Sequence, residues 1–324
     1  MLIDEVLALL KKNQGEYLSG EALAASLRVS REAVWKAVNT LRARGHDIKS
    51  AHRRGYCLSG GPDLLNASLL DALVKEGGQQ MDVLVFRTTD STNNEGRRRA
   101  LGLTRPLLIA ADCQTAGRGR GDHSFYSPDR TGLYLTVVCP TRLALADAAL
   151  ATQAMAVAAA RAAEALGAPP VRVKWVNDLY VHGKKAAGIL TEAVSDLESG
   201  TAAAVICGIG LNLTTADFPA DVRPLAGDLG PLDRHRLAAQ IACRFLELFA
   251  LLPQTDAWLP EYRARSLALG APLTFTRGGR FYRATGEDID GRGRLIVCTE
   301  DGERLSLDSG EISIRLDPGR EDEG

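Results

Sequence analysis

Gln114-Thr-Ala-Gly117-Arg118-Gly119-Arg120-Gly121-Asp122-His123-Ser124-Phe125 lies between two apolar runs, Leu107-Leu108-Ile109-Ala110-Ala111 and Gly132-Leu-Tyr-Leu-Thr-Val-Val-Cys139. Both runs are short and aliphatic or β-branched, so they read as strands, and the glycines fall on a strand-to-strand loop. Glycine lets a backbone approach a ligand closely, and a guanidinium binds carboxylate or phosphate oxygens through paired donors. Such a loop suits an acidic ligand. A dinucleotide fingerprint would run from strand into helix, and a Walker loop would end in Lys-Ser/Thr; neither occurs here. A kinase glycine loop joins strands, but no His-Arg-Asp or Asp-Phe-Gly segment follows. Taken alone, the segment also resembles a solvated basic loop.

Working outward, 324 residues exceed one average domain, so two or three are expected. Hydrophobic residues make up 45% and charged ones 24%, enough for a globular core. The net charge is −1, so any nucleic-acid contact must come from local clustering. The six cysteines (Cys57, Cys113, Cys139, Cys207, Cys243, Cys298) show no Cys-x-x-Cys pair and read as small buried residues of a reducing compartment. Asp4 and Glu5 stand where a signal peptide would be basic, and Ala148 to Ala160 is too short to span a bilayer. A cytoplasmic protein without membrane attachment is expected.

Residues 1–62 read as a separate domain. A first helix carries Leu2, Ile3, Val6, Leu7, Leu9 and Leu10. Ser19 caps a second over Gly20 to Leu27, and Ser30 caps a third in which Val34, Val38 and Leu41 share one face. Gly45 ends that helix, and a hairpin follows, turning at Arg53-Arg54-Gly55. Three helices and a basic hairpin describe a winged helix-turn-helix. Between residues 28 and 54 eight basic side chains face two acids. Ser30, Arg31, Glu32, Lys36 and Asn39 on the third helix and Arg53 and Arg54 on the hairpin are the candidate DNA contacts. An auxiliary domain for protein contacts is the alternative.

Gly60-Gly61-Pro62 reads as a linker. Residues 63–268 mix strand-like runs (81–86, 107–112, 133–139, 171–175, 188–192, 203–209) with helical ones, clearest at about 145–166 and 234–251. That makes an α/β or α+β domain. Residues 269–317 hold short β-rich pieces between turns, including Ile312-Ser-Ile, and suggest a small β-barrel; 318–324 is a polar, frayed tail.

Further segments share the chemistry of the loop. Arg172-Val-Lys174-Trp-Val-Asn177-Asp178 places a lysine, an amide and a carboxylate at a strand end, and Lys184-Lys185-Ala-Ala-Gly188 follows. Alternation puts Arg172 and Lys174 on one face. Gly208-Ile-Gly210-Leu-Asn212 is a second close-approach strip, and Asp90-Ser91-Thr92-Asn93 offers hydroxyl and amide groups. Trp175 reads as core and Lys184 as solvated.

In this order, these residues resemble the bifunctional biotin–protein ligases and biotin operon repressors over nearly the whole chain, including Ser309-Gly-Glu-Ile-Ser313 near the end. The resemblance implies a multi-domain α+β protein. An N-terminal winged helix-turn-helix precedes a mixed sheet related to class II aminoacyl-tRNA synthetases, and a Src-homology-3-like barrel follows. It implies that biotin carboxylate attacks ATP, with Mg²⁺, to give biotinyl-5′-AMP, which is then transferred to a lysine of a biotin carboxyl carrier protein. By that resemblance Ser91, Thr92, Asn93, Gln114, Gly117, Gly119, Gly188, Gly208 and Gly210 line the biotin site. Arg118 and Arg120 hold the acyl-phosphate and Lys185 meets the biotin carboxylate. Lys174, Asn177 and Asn212 lie nearer the nucleotide, and Asp178 orients or deprotonates the acceptor lysine. A turn-stabilising role is the alternative for Asp178. Ligand-driven homodimerisation on operator DNA, with biotinyl-5′-AMP as corepressor, is also implied.

The chain departs from the family pattern at four positions. Asp122 and His123 stand where the loop usually has Gly and Arg, Val176 where proline is common, and Val222 where the repressor type has tryptophan. A biotin-sensing regulator with weak or lost ligase activity is the second reading, and a lipoate–protein ligase the third. The winged helix and the arginine-glycine loop argue against the third.

Overall fold

The computed structural model describes residues 2–43, 46–51, 53–60, 64–121, 123–196, 199–308 and 315–316. The chain opens with α1 (Leu2–Lys12), α2 (Gly20–Leu27) and α3 (Arg31–Ala43), then the antiparallel pair β1 (Asp47–Ala51) and β2 (Gly55–Gly60). Ser19 Oγ accepts Ala22 N–H and Ser30 Oγ accepts Ala33 N–H, so both expected caps are in place. Val6, Leu10, Val34, Val38, Leu41 and Ile48 close a core of their own, worth roughly 2 kcal/mol per large side chain. Arg53 and Arg54 form the hairpin turn, as expected. Gly45 and the linker residues Gly61 and Pro62 lie outside the described residues.

The central part runs α4 (Ala67–Glu76), β3 (Asp82–Thr89), α5 (Thr92–Arg99), β4 (Leu107–Gln114), β5 (Gly132–Pro140), α6 (Leu145–Ala148), α7 (Leu150–Ala165), β6 (Arg172–Lys174), β7 (Asp178–Val181), β8 (Lys184–Asp196), β9 (Thr201–Asn212), α8 (Arg234–Phe249) and α9 (Leu259–Arg265). Its seven strands form one mixed sheet in the order β3-β4-β5-β9-β8-β7-β6, in which only β3 and β4 run parallel. The Ala-rich segment is two helices rather than one. Nearly every side chain of α7 is buried, because alanine lets that helix lie close to both the sheet and α8. On the opposite face α5 packs over Ile109, Val138 and Ile206; Gly96 permits this, since a Cβ there would stand 3.0 Å from Val138 and Ile206.

β10 (Pro272–Arg277), β11 (Arg280–Ile289), β12 (Leu295–Thr299), β13 (Arg304–Leu307) and β14 (Arg315–Leu316) make a five-stranded antiparallel sheet. Ile312-Ser-Ile and Ser309 to Ser313 lie outside the described residues. Trp175 is buried core, as expected, and its Nε1–H donates to Gly293 O at 3.1 Å, joining the two sheets. Among the described residues no helix is long and apolar enough to cross a membrane.

Polar contacts fix α1 to the central domain. Lys11 Nζ donates to Leu64 O at 2.8 Å, and Asn66 Nδ2 to Asp4 O at 3.2 Å. Asn66 N–H donates to His235 Nε2 at 2.9 Å. Burial, with Lys11 and Arg234 nearby, pulls the His235 imidazole down to about 3.

Candidate functional site

The glycine–arginine loop is itself a small hairpin. Phe125 N–H donates to Gly117 O and Gly119 N–H to His123 O, with Gly121 at φ +59° in the turn. Its base is tied down by Gln114, which accepts Thr92 N–H at 2.8 Å and donates to Ser127 Oγ at 2.9 Å. Ala116 N–H donates to Asp90 O. Arg98 beside Asp90 holds that side-chain carboxyl well below the usual carboxylate range, so the side chain stays ionised.

Ser91, Thr92, Asn93, Gln114, Arg118, Gly188, Gly208 and Gly210 line one cleft, with Phe125, Leu190 and Ile209. Its glycines serve different neighbours. A Cβ on Gly208 would meet Asn93 Oδ1 at 1.8 Å, and one on Gly210 would meet the Phe125 ring at 2.5 Å. The ring lies over the strip formed by β8 and β9 and leaves a cavity of about 20 Å³, room for one water. The much larger groove, about 1070 Å³ between the winged helix and α8, holds none of these residues and is lined by charges of both signs.

Asn93 is committed inward. Its Oδ1 accepts Thr136 Oγ1–H at 2.7 Å, and its Nδ2 donates to Leu190 O and Glu192 Oε2. Asn212 is likewise inward: its Nδ2 donates to Gly227 O at 3.0 Å and holds the 213–230 segment against β8. Lys185 N–H and O pair with Leu225 and Gly227 of that segment, where Leu225 is exposed and Val222 partly buried.

The second group gathers at the β6–β7–β8 end of the sheet. Lys174 stands opposite Asp178 in register, with its Nζ 6.0 Å from the centre of the Tyr180 ring. Arg120 Nη1 donates to Asn177 Oδ1 at 3.4 Å, while Asn177 Nδ2 donates to Ile189 O. Burial lowers the Arg120 pKa, which Asp178 partly offsets, and the guanidinium stays charged. Lys185 Nζ lies 2.8 Å from Asp178 Oδ1, a charge pair by distance without hydrogen-bond geometry. Arg118 Nη1 meets Asn94 Oδ1 and Glu192 Oε1. Arg172 is exposed and donates to Arg265 O, and Lys184 is exposed, as expected. Among the described residues no group of three His, Cys, Asp or Glu stands together to hold a metal. His123 is exposed, and Asp122 lies outside the described residues.

The candidate DNA face presents Ser30, Arg31, Glu32 and Lys36 exposed, with Lys36 and Glu32 paired at 2.7 Å. Asn39 is partly buried and accepts Arg42 Nη1–H, and Arg54 stacks on Tyr17 at 4.3 Å. Trp35, 53% exposed between Val34 and Lys36, extends that face; as the one large apolar side chain off the buried stripe of α3, it was legible from spacing. Sequence reasoning also missed Phe125, Glu192 and the Asp112–Arg234 pair. Phe125 carried a signal as the aromatic that closes the loop; the others carried none.

Three family models match in series: HTH domain over residues 3–57, the Biotin/lipoate A/B protein ligase family over 85–212, and Biotin protein ligase C terminal domain over 268–315. The chain is 32% identical to the bifunctional ligase/repressor BirA of Escherichia coli over 308 residues, 93% of this chain and 94% of that protein. It is 31% identical to the Salmonella typhimurium protein of the same name, with the same coverage. In fold it is similar to a biotin protein ligase from Aquifex aeolicus solved with biotin and ATP, at TM-score 0.60 and 23% identity over 72% of this chain and 99% of that one. With a helix-turn-helix domain ahead of the ligase domain and a ligase C-terminal domain behind it, the chain belongs to the biotin–protein ligase family, in its bifunctional ligase/repressor form.

Proposed function

We propose that this protein activates biotin with ATP and transfers it to a lysine of a biotin carboxyl carrier protein. The observation that carries this reading is a small-residue cleft lined by Arg118, with Lys185 Nζ against its Gly188 and Arg120 bonded to Asn177 on the neighbouring strand end. Joining a carboxylate to a polyphosphate brings anions together, and preorganised cations lower that barrier. In the first step a biotin carboxylate oxygen attacks the α-phosphorus and pyrophosphate leaves. In the second the carrier amine attacks the acyl carbon and AMP leaves.

Biotin lies on the Gly188–Gly210 strip once Phe125 swings off it, bounded by Ser91, Thr92, Asn93 and Gln114 with Gly117, Gly119 and Gly208. Asn93 acts by bracing the wall. Lys185 meets the biotin carboxylate, Arg118 and Arg120 hold the acyl-phosphate, and Lys174 and Asn177 lie toward the nucleotide. Asn212 acts through the segment it anchors. Asp178 takes the proton of the acceptor ammonium, whose ordinary pKa of ~10.4 demands a base. Mg²⁺ comes with ATP: without a carboxylate cluster in the described residues, phosphate oxygens supply most of its ligands.

The same chain represses transcription through Ser30, Arg31, Glu32, Lys36, Asn39, Arg53 and Arg54, as a homodimer on operator DNA with biotinyl-5′-AMP as corepressor. The domain limits follow as 1–62, 63–268 and 269–317, with the tail at 318–324, in a cytoplasmic protein. Biotin-dependent exchange of labelled pyrophosphate into ATP tests the ligase, and its absence would favour a biotin sensor. A gel shift on a biotin-synthesis promoter, strengthened by biotin and ATP, tests the repressor; a shift indifferent to both would refute ligand control.

A further inference from the structure

Glu192 stands on β8 four residues beyond Gly188, at the edge of the cleft, with its side chain 17% exposed. Its Oε1 accepts Arg118 Nη1–H at 3.0 Å and also faces Arg97 Nη2; its Oε2 accepts Asn93 Nδ2–H at 3.1 Å. Asn94 Oδ1 accepts a second bond from the same Arg118 Nη1 at 3.2 Å. Both bonds of Arg118 therefore start from one nitrogen. Its Nε and Nη2 meet no partner among the described residues. Those two form the parallel-donor edge of a guanidinium, which a carboxylate or phosphate takes in bidentate fashion. A long side chain on a glycine-flanked loop would otherwise lose rotamer freedom each time it engaged an anion.

We propose that Glu192 is a positioning residue for the ligase reaction: by gripping Nη1 it turns the open edge of Arg118 toward the acyl-phosphate. The assignment rests on the ligase reading above. Arg97 competes for the same oxygen, so it balances the grip without taking part in the site. A purely structural role differs in what it predicts, because Glu192 also ties α5 to β8 through Asn93 and Arg97.

The test measures formation and release of biotinyl-5′-AMP for the full chain and for Glu192→Gln, Arg97→Gln, Arg118→Ala and the Glu192→Gln/Arg118→Ala double variant. Glu192→Gln is expected to slow formation and speed release, each roughly tenfold (about 1.4 kcal/mol), with KM for ATP little changed. Arg97→Gln stays near wild type, and the double variant matches Arg118→Ala alone. Additive losses in the double variant, or a loss in Arg97→Gln as large as in Glu192→Gln, would overturn the assignment and place Glu192 in the support of α5. A wild-type protein that forms no adenylate would instead remove the ligase reading, and this assignment with it.

Discussion

Lys185 Nζ and Asp178 Oδ1 lie 2.8 Å apart, across a bulge that offsets β7 from β8. The strand shift brings a cation and an anion onto one site that regular pairing would have spaced differently. We propose that the pair divides the two half-reactions, the lysine drawing in the biotin carboxylate and the aspartate then serving the incoming amine. Replacing Lys185 by Gln is expected to slow adenylate formation about 100-fold, the usual loss for one preorganised donor. Asp178→Asn should slow transfer from preformed adenylate more than it slows adenylate formation. Single-turnover measurement of each step checks both; equal losses in both steps for both variants would contradict the division.

The glycine strip offers a sharper steric test. Gly210→Ala puts a methyl where the Phe125 ring sits, and Gly208→Ala puts one on Asn93 Oδ1. Gly210→Ala should weaken biotin binding by roughly tenfold or more (about 1.4 kcal/mol) while the fold persists. Gly208→Ala should cost stability as well, because it breaks the buried Asn93–Thr136–Thr92 chain. Calorimetric binding beside thermal melts separates the two.

Arg234 and Asp112, both 2% exposed in their side chains, form a buried ion pair at 2.8 Å. Arg234 Nε also donates to Gly132 O, and Asp112 Oδ1 accepts Leu65 N–H. Arg234→Met would leave the buried carboxylate with Leu65 N–H and the half-exposed Arg87, 3.3 Å from its Oδ2, and should still cost about 3 kcal/mol. Urea unfolding should show that loss, and a loss under about 1 kcal/mol would mean the pair is dispensable.

His235 is neutral and buried, with a pKa of about 3 against an ordinary value near ~6.5. The unfolded chain binds a proton below pH ~6.5 that the folded chain refuses until about pH 3. The resulting penalty is absent above ~6.5 and grows as pH falls toward about 3. About 2 kcal/mol should be lost between pH 7.5 and pH 5. His235→Gln, which keeps an acceptor for Asn66 N–H, should flatten that slope; an unchanged slope would assign it to other groups.

Most of the three-part architecture was legible because its signals are local. Ser19 and Ser30 cap helices, Val34, Val38 and Leu41 repeat at helical spacing, and the strands flanking the loop are uninterrupted apolar runs. α5 escaped notice because Thr92-Asn-Asn-Glu-Gly-Arg-Arg-Arg99 carries little apolar periodicity; it is held by Ala100 and by the close approach at Gly96. β7 is four residues long and was hidden in what reads as a turn. At the site, the cations and glycines announced an acidic ligand, yet chemistry alone did not separate contact from support. Asn93 and Asn212 have ligand-like side chains but spend them on Thr136, Leu190, Glu192 and Gly227. Glu192 and Arg234 act through partners dozens of residues away, which no local pattern encodes.

The most direct test of the account is transfer itself: the full chain with biotin, ATP, Mg²⁺ and a biotin carboxyl carrier domain, followed by mass spectrometry of the carrier. One biotinyl group on one carrier lysine is expected, dependent on ATP and abolished when that lysine is arginine. An unmodified carrier, although the protein binds biotin, would contradict it and leave a sensor in place of an enzyme.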